Sequence, residues 1–213
     1  NFKGPGRREL RASKFCCCGR CDRVEELTEI RWHARGGQGA VTAAKLLAEM
    51  ALAEDLYFQA FPEYGPERMG APIQCFNRLS KIPISIYTSV EEPDLVVVVD
   101  PTLLGTVDVT RGLKPGGGLL INSSKTPAEL QKELAVNNHR LFTIDATRIS
   151  LEAMGRAMPN TPMLGALLRV LNVIPLEVAV EYLQESFAPK FGPKVTAGNL
   201  TALQRAFAEV QGV

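Results

Sequence analysis

The stretch that most limits what this chain can fold into is Ile30–Lys45, IRWHARGGQGAVTAAK. Apolar residues alternate through Ile30, Trp32 and Ala34, three glycines follow within four positions, and an alanine-rich run begins near Ala40. The pattern predicts a short strand, a tight turn and a helix, which is the opening unit of an α/β sheet. Gly36, Gly37 and Gly39 permit a sharp backbone turn and leave its amides uncovered by any Cβ. The free N–H groups of the following helix point back into that turn, and Arg35 sets a positive charge beside it. Arg35, Gly36, Gly37, Gln38, Gly39, Ala40 and Thr42 are therefore the candidate residues of an anion cradle. A tight turn whose glycines serve packing alone fits this stretch equally well.

Two familiar nucleotide loops do not fit. A P-loop ends in Gly-Lys-Ser/Thr, which is absent here. A dinucleotide fingerprint has Gly37-x-Gly39 but Thr42 where the third glycine belongs. The ribose-binding acid expected about 20 residues on has no well-placed candidate either. Asp55 precedes the next strand, and Glu63 lies in a Pro-rich loop.

The 213 residues carry a formal net charge of +1 with both signs interspersed, so no basic field points to nucleic acid or to a membrane surface. No apolar run approaches membrane-spanning length, and no signal-peptide pattern is present, so the expected setting is cytoplasmic with free thiols. His33 and His139 are the whole histidine complement, which leaves little for histidine-based catalysis. His33 falls in the strand pattern and reads as a core residue.

Residues 1–28 read as a basic, Cys-rich leader or tether, and 29–213 as one α/β domain. Cys18 and Cys21 form a single C-x-x-C and are the candidate metal ligands. A tetrahedral zinc site normally takes two spaced pairs, so an extended tether or a remnant of a neighbouring domain is the competing reading. Further on, the pattern predicts a helix over Ala40–Glu54 and a strand over Leu56–Phe61. Ile73–Leu79 and Ile82–Thr88 read as an antiparallel hairpin across Ser80-Lys81. The unalternating run Leu95–Val99 marks a parallel strand covered on both faces. Asp100 at its carboxyl end is either a ligand group or the cap of a helix begun by Pro101. Strands follow at Leu119–Asn122 and Arg140–Ile144, with a capped helix from Thr126-Pro127 between them. Helical segments follow over Ile149–Gly155, Met163–Leu171 after a cap-like Asn160-Thr161-Pro162, Leu176–Phe187 and Asn199–Val210. The expected fold is α/β: a doubly wound, mostly parallel sheet with an antiparallel hairpin and a C-terminal helical cover. Pro62–Pro72, PEYGPERMGAP, is long and irregular for such a domain. Its Tyr64, Glu67 and Arg68 suit contact with a partner, and a self-packed Ω-loop holding a Glu–Arg pair is the alternative.

Several motifs in order carry a family resemblance: RGGQGAVTAAKLLAEMA (Arg35–Ala51), QAFPEYGPERMGAP (Gln59–Pro72), PDLVVVVDPTLL (Pro93–Leu104), LKPGGGLLIN (Leu113–Asn122) and PNTPMLGALLRVL (Pro159–Leu171). From about Ile30 to Val210 the chain resembles the gamma subunit, or gamma domain, of pyruvate and other 2-oxoacid:ferredoxin oxidoreductases. Ala34 and Met69 stand where the family often has Gly and Arg, and the Cys-rich leader is not part of the resemblance. The resemblance implies oxidative decarboxylation of a 2-oxoacid by thiamine diphosphate with Mg, and electron passage through [4Fe–4S] clusters to ferredoxin. Neither a thiamine-binding G-D-G…N segment nor a C-x₂-C-x₂-C run is visible in this chain. The resemblance therefore places those cofactors on alpha, beta and delta-type partner subunits, with the isolated chain inactive. For this chain it implies a role in assembly and a share of the site for coenzyme A, whose phosphates the cradle from Arg35 to Thr42 would hold. A CoA-independent member such as an oxalate oxidoreductase, and a stand-alone dinucleotide-dependent dehydrogenase, are the alternatives.

Overall fold

The computed structural model describes residues 27–63, 70–134, 136 and 138–212. The candidate metal ligands Cys18 and Cys21 and the candidate partner contacts Tyr64, Glu67 and Arg68 lie outside the described residues. Six strands form one sheet in the order β2-β3-β1-β4-β5-β6. They are β1 (Thr28–Arg35), β2 (Tyr57–Glu63), β3 (Pro72–Ser80), β4 (Leu95–Val98), β5 (Gly118–Asn122) and β6 (Arg140–Ile144). β1, β4, β5 and β6 pair in parallel, whereas β3 runs antiparallel to both β1 and β2.

Helices cover the faces: α1 (Ala40–Ala53), α2 (Pro127–Leu134), α3 (Ala146–Met154), α4 (Asn160–Leu171) and α5 (Leu176–Glu209). Alternation along each strand divides the apolar residues between two cores. Ile30, Trp32, Ala34, Val97 and Val99 enter the larger one, beneath α1, α4 and α5. Val96, Val98, Leu119 and Ile121 enter a smaller one with Val109, Leu113 and Leu130. That two-sided coverage explains why the Val-Leu run of β4 does not alternate. Asn77 ties β1, β3 and α1 together, accepting from Trp32 Nε1 at 2.9 Å and donating to the Ala44 carbonyl at 2.8 Å. The capping box before α2 forms as its sequence predicts, with Thr126 N–H donating to the Glu129 carboxylate at 2.8 Å.

Three expectations need correction. The antiparallel pair exists, but β2 and β3 form it, across the Pro-rich loop, while Ile82–Thr88 joins no strand. Pro83 offers no ladder N–H, and Arg78 instead holds this segment by donating to the carbonyls of Ile86 at 3.3 Å and Ser89 at 3.4 Å. Asn160 and Thr161 do not precede α4 as caps; Pro159 takes the cap position, and both residues are buried in the first turn. Thr161 Oγ1 donates to Asn199 Oδ1 at 2.8 Å, which locks α4 to α5. Finally, the two C-terminal helical segments abut within α5 and are separated only by a break at Gly192, with φ 75 and ψ 172. Pro189 and Pro193 flank that break and remove two helical N–H donors.

Candidate functional site

The sheet is built outward in two directions from the seam between β1 and β4. From β1 the chain crosses through α1 to β2 and β3; from β4 it proceeds to β5 and β6. In open α/β sheets the crevice at the carboxyl ends of such a strand pair is the usual ligand position. Arg35 ends β1 there, and Asp100 follows β4.

The glycine turn joins β1 to α1. Gly37 and Gly39 have φ of 97 and 79, a region in which a side chain is strained. Gly39 caps α1 with no side-chain bond, and a Cβ there would come within 2.9 Å of Asn160 Nδ2. Of the predicted cradle amides, three are used by the protein, one of them Arg35 N–H, which donates to Gln38 Oε1 at 2.8 Å. Gly36 N–H donates to the Ala71 carbonyl at 2.9 Å and Gln38 N–H to the Arg35 carbonyl at 3.2 Å. The amides of Gly37 and Gly39 make no hydrogen bond among the described residues. Those of Ala40, Val41 and Thr42 open α1 and have no intrahelical acceptor.

On one flank of the turn, the side chains of Arg35, Gln38, Asp100 and Thr102 bond to one another. The Asp100 carboxylate accepts from Thr102 N–H at 2.9 Å, Thr102 Oγ1 at 2.7 Å and Gln38 Nε2 at 2.6 Å. Arg35 Nε lies 3.4 Å from Asp100 Oδ2. Asp100 thus fulfils the capping expectation and also faces the ligand crevice. Burial alone would raise its carboxyl, but the Thr102 hydroxyl and amide, Gln38 and Arg35 together hold it below the usual carboxylate range. Arg35 Nη1 donates to the Gly70 carbonyl at 3.2 Å, and Gly70 N–H to the Gly36 carbonyl at 3.2 Å. The descending end of the Pro-rich loop is therefore anchored on the turn.

The other flank opens into a cavity of about 540 Å³ between α1, the start of α4 and the break in α5. Gly39, Thr42 and Lys45 line it from α1, and Asn160 from α4. Phe187 and Phe191, packed edge to face with centroids 5.2 Å apart, supply an apolar wall. Arg156 and Lys190 add charge, and neither has an ion-pair partner among the described residues; Lys45 is only loosely paired, 3.9 Å from Glu49. The structure thus divides the predicted residues: Gly39 and Thr42 face the cavity, and Arg35 faces the crevice. Lys45 is not among the predicted residues, although its place three residues after Thr42 on one helical face is a signal that could have marked it. Arg156 and Lys190 had no local signal, because only tertiary packing brings them to the turn.

His33 plays no part in either flank. It is buried, and desolvation, followed by the adjacent Arg31, lowers its pKa to about 4. The neutral ring accepts from Arg31 Nε at 3.1 Å, while Arg31 Nη2 donates to the carbonyls of Val109 and Arg111. Cys75 is buried in β3, and burial raises its thiol to about 12, which makes it inert. Among the described residues no group of three His, Cys, Asp or Glu side chains is placed to hold a metal ion. Among them also, no helix is long and apolar enough to cross a membrane.

Comparison with known proteins agrees with this architecture. The sequence model of the family described as pyruvate ferredoxin/flavodoxin oxidoreductase matches residues 29–209. The pyruvate/ketoisovalerate oxidoreductases common subunit gamma of Thermococcus litoralis is 46% identical over 181 residues, covering 85% of this chain and 96% of that protein. Pyruvate synthase subunit PorC of Thermotoga maritima is 45% identical over 183 residues, covering 86% and 94%. The crystal structure of pyruvate oxidoreductase subunit PORC from Thermotoga maritima superposes with a TM-score of 0.76 at 43% identity, covering 88% of this chain and 98% of that one. The 2-oxoglutarate:ferredoxin oxidoreductase from Magnetococcus marinus, solved with 2-oxoglutarate, coenzyme A and succinyl-CoA, shares the fold. Its TM-score is 0.70 at 20% identity, over 87% of this chain and 31% of that longer one.

Proposed function

Because the chain belongs to the pyruvate ferredoxin/flavodoxin oxidoreductase family, as a gamma subunit of a multi-subunit oxidoreductase complex, we propose that it holds the phosphates of coenzyme A at the glycine turn. The observation that carries this reading is the turn itself. Its amides at Gly37, Gly39 and the first turn of α1 have no acceptor among the described residues, and they lie between Arg35 and the cavity lined by Lys45, Glu49, Arg156 and Lys190. The residues fit the group. A helix N-terminus with free amides favours an anion, and Arg35, Lys45 and the Thr42 hydroxyl add contacts of the kinds a diphosphate accepts. The apolar wall of Phe187 and Phe191 suits the nucleoside end. When bound, coenzyme A supplies a thiol that accepts an acyl group. This chain's part is to bind and orient it, with charge-assisted contacts worth roughly 1.5–3 kcal/mol each.

In this reading pyruvate or a related 2-oxoacid is decarboxylated on partner subunits of alpha, beta and delta type. These carry thiamine diphosphate, Mg and the [4Fe–4S] clusters and pass electrons to ferredoxin in the cytoplasm. Tyr64, Glu67 and Arg68 contribute contacts to a partner. In the assembled complex, Arg35→Ala should raise the apparent constant for coenzyme A roughly ten- to hundredfold while sparing the initial decarboxylation. An unchanged requirement for coenzyme A in a normally assembled variant would leave the turn a packing element. A complex that turns over fully without coenzyme A would move it to the oxalate-type branch.

A further inference from the structure

Arg35, Gln38, Asp100 and Thr102 come from two separate segments, yet they form one hydrogen-bonded set whose donor and acceptor order is fixed from a single group. The Asp100 carboxylate only accepts. Thr102 therefore spends its one hydroxyl proton on Asp100 Oδ1, at 2.7 Å, and must offer lone pairs elsewhere. Both go to Arg35: Nε donates to Thr102 Oγ1 at 3.1 Å and Nη2 at 3.0 Å. Gln38 likewise turns its Nε2 to Asp100, which leaves Oε1 to accept from the Arg35 main-chain N–H at 2.8 Å. Two chains of polarity thus start at one carboxylate and end on the side chain and the backbone of one arginine.

We infer that Asp100 and Thr102 are positioning residues for anion capture by Arg35, an inference that rests on the coenzyme A reading above. Exposure separates the two charges. The Arg35 side chain is 31% exposed and the Asp100 side chain 10%, so the arginine is the more accessible of the two to a ligand in the crevice. At 3.4 Å the Arg35–Asp100 contact is longer than a close charge-assisted hydrogen bond, so the acid steers the guanidinium without occupying it. Of the five guanidinium N–H groups, three are engaged among the described residues, by Thr102 twice and by Gly70. The two not engaged there sit one on each terminal nitrogen, where they can donate to the oxygens of an anion. Free in solution, an arginine of this length samples many rotamers; here that ordering is complete before the ligand arrives.

The test uses the assembled complex with two readouts, calorimetric binding of coenzyme A without 2-oxoacid, and steady-state kinetics. Thr102→Val keeps the shape of an exposed side chain and removes only the hydroxyl relay. It should weaken binding about three- to tenfold, with KM rising in step, while kcat and the thermal midpoint hold. Thr102→Ser should restore most of the affinity, and Asp100→Asn should cost at least as much as Thr102→Val because both polarity chains lose their start. Arg35→Ala is the reference. If it weakens binding and Thr102→Val does not, the inference is overturned and the coenzyme A reading stands. If Thr102→Val tightens binding, the set restrains Arg35 and the inference is equally overturned. If Thr102→Ser behaves as Thr102→Val, the hydroxyl is not the agent. If Arg35→Ala itself changes nothing, the reading and the inference fall together.

Discussion

The two flanks of the glycine turn differ in how their charges are settled. On the crevice side, Arg35, Gln38, Asp100 and Thr102 satisfy one another, and each bond has a partner at ordinary distance. On the cavity side, Arg156 and Lys190 have no ion-pair partner among the described residues, and Lys45 only a distant one. The difference marks the first flank as a network that preorganises one arginine, and the second as a surface whose cations are not held in place by the fold. Both depend on the same short backbone turn, so they can be broken together or one at a time.

The largest effect should come from breaking both at once. Gly39→Val puts a β-branched side chain at φ 79 and drives its Cβ to 2.9 Å from Asn160 Nδ2. Left-handed backbone strain costs about 1–3 kcal/mol, and the overlap with α4 adds to it. The thermal midpoint should fall by several degrees, and coenzyme A binding should drop by more than a decade in whatever fraction remains folded. A stable variant with unchanged binding would separate the turn from both flanks.

How much of this was legible in the sequence follows from how local each cause is. The strand, turn and helix around Arg35–Gly39 were readable because glycine conformation and apolar period act within a few residues. The same holds for the Thr126–Glu129 capping box and for β6 at Arg140–Ile144. The partner of β3 was not readable. Ile82–Thr88 has strand-like composition, and only the buried Arg78, taking the carbonyls of Ile86 and Ser89, shows why it lies unpaired. Gln38 was read for its backbone amide, whereas its side chain matters through Asp100, 62 positions away. Arg156 and Lys190 reach the cavity only because the α3–α4 connection and the broken α5 come together beside α1, and no spacing in the sequence encodes that meeting.

A second, intermediate effect probes the face of the sheet on which charges are settled internally. His33 must stay neutral to accept from Arg31 Nε, and its pKa is about 4 in the fold against 6.5 for the free side chain. Between those values the unfolded chain binds a proton that the folded chain refuses, so stability falls as pH drops from 6.5 toward 4 and levels below it. The loss is on the order of 3 kcal/mol across that window. Urea midpoints should track this decline, and His33→Gln, which keeps an acceptor for Arg31 and cannot titrate, should flatten it. An equal slope in the variant would assign the acid sensitivity to carboxylates elsewhere.

The smallest expected effect isolates the open flank. Arg156→Gln with Lys190→Gln removes two cavity charges that hold no partner in the fold among the described residues, so the thermal midpoint should move little. Exposed, unpaired side chains of this kind usually change stability by no more than about 0.5 kcal/mol. If the cavity receives the phosphorylated nucleoside end of coenzyme A, binding in the assembled complex should weaken about tenfold. That loss should shrink for a coenzyme A lacking its 3′-phosphate, since the missing charge has nothing to lose. It should also shrink with added salt, because both cations face solvent. The crevice network is untouched by the pair, so Thr102→Val should add its own effect nearly in full when combined with them. Strong non-additivity would mean that the two flanks grip one group from opposite sides, and that the settled and the open halves of the turn form a single site.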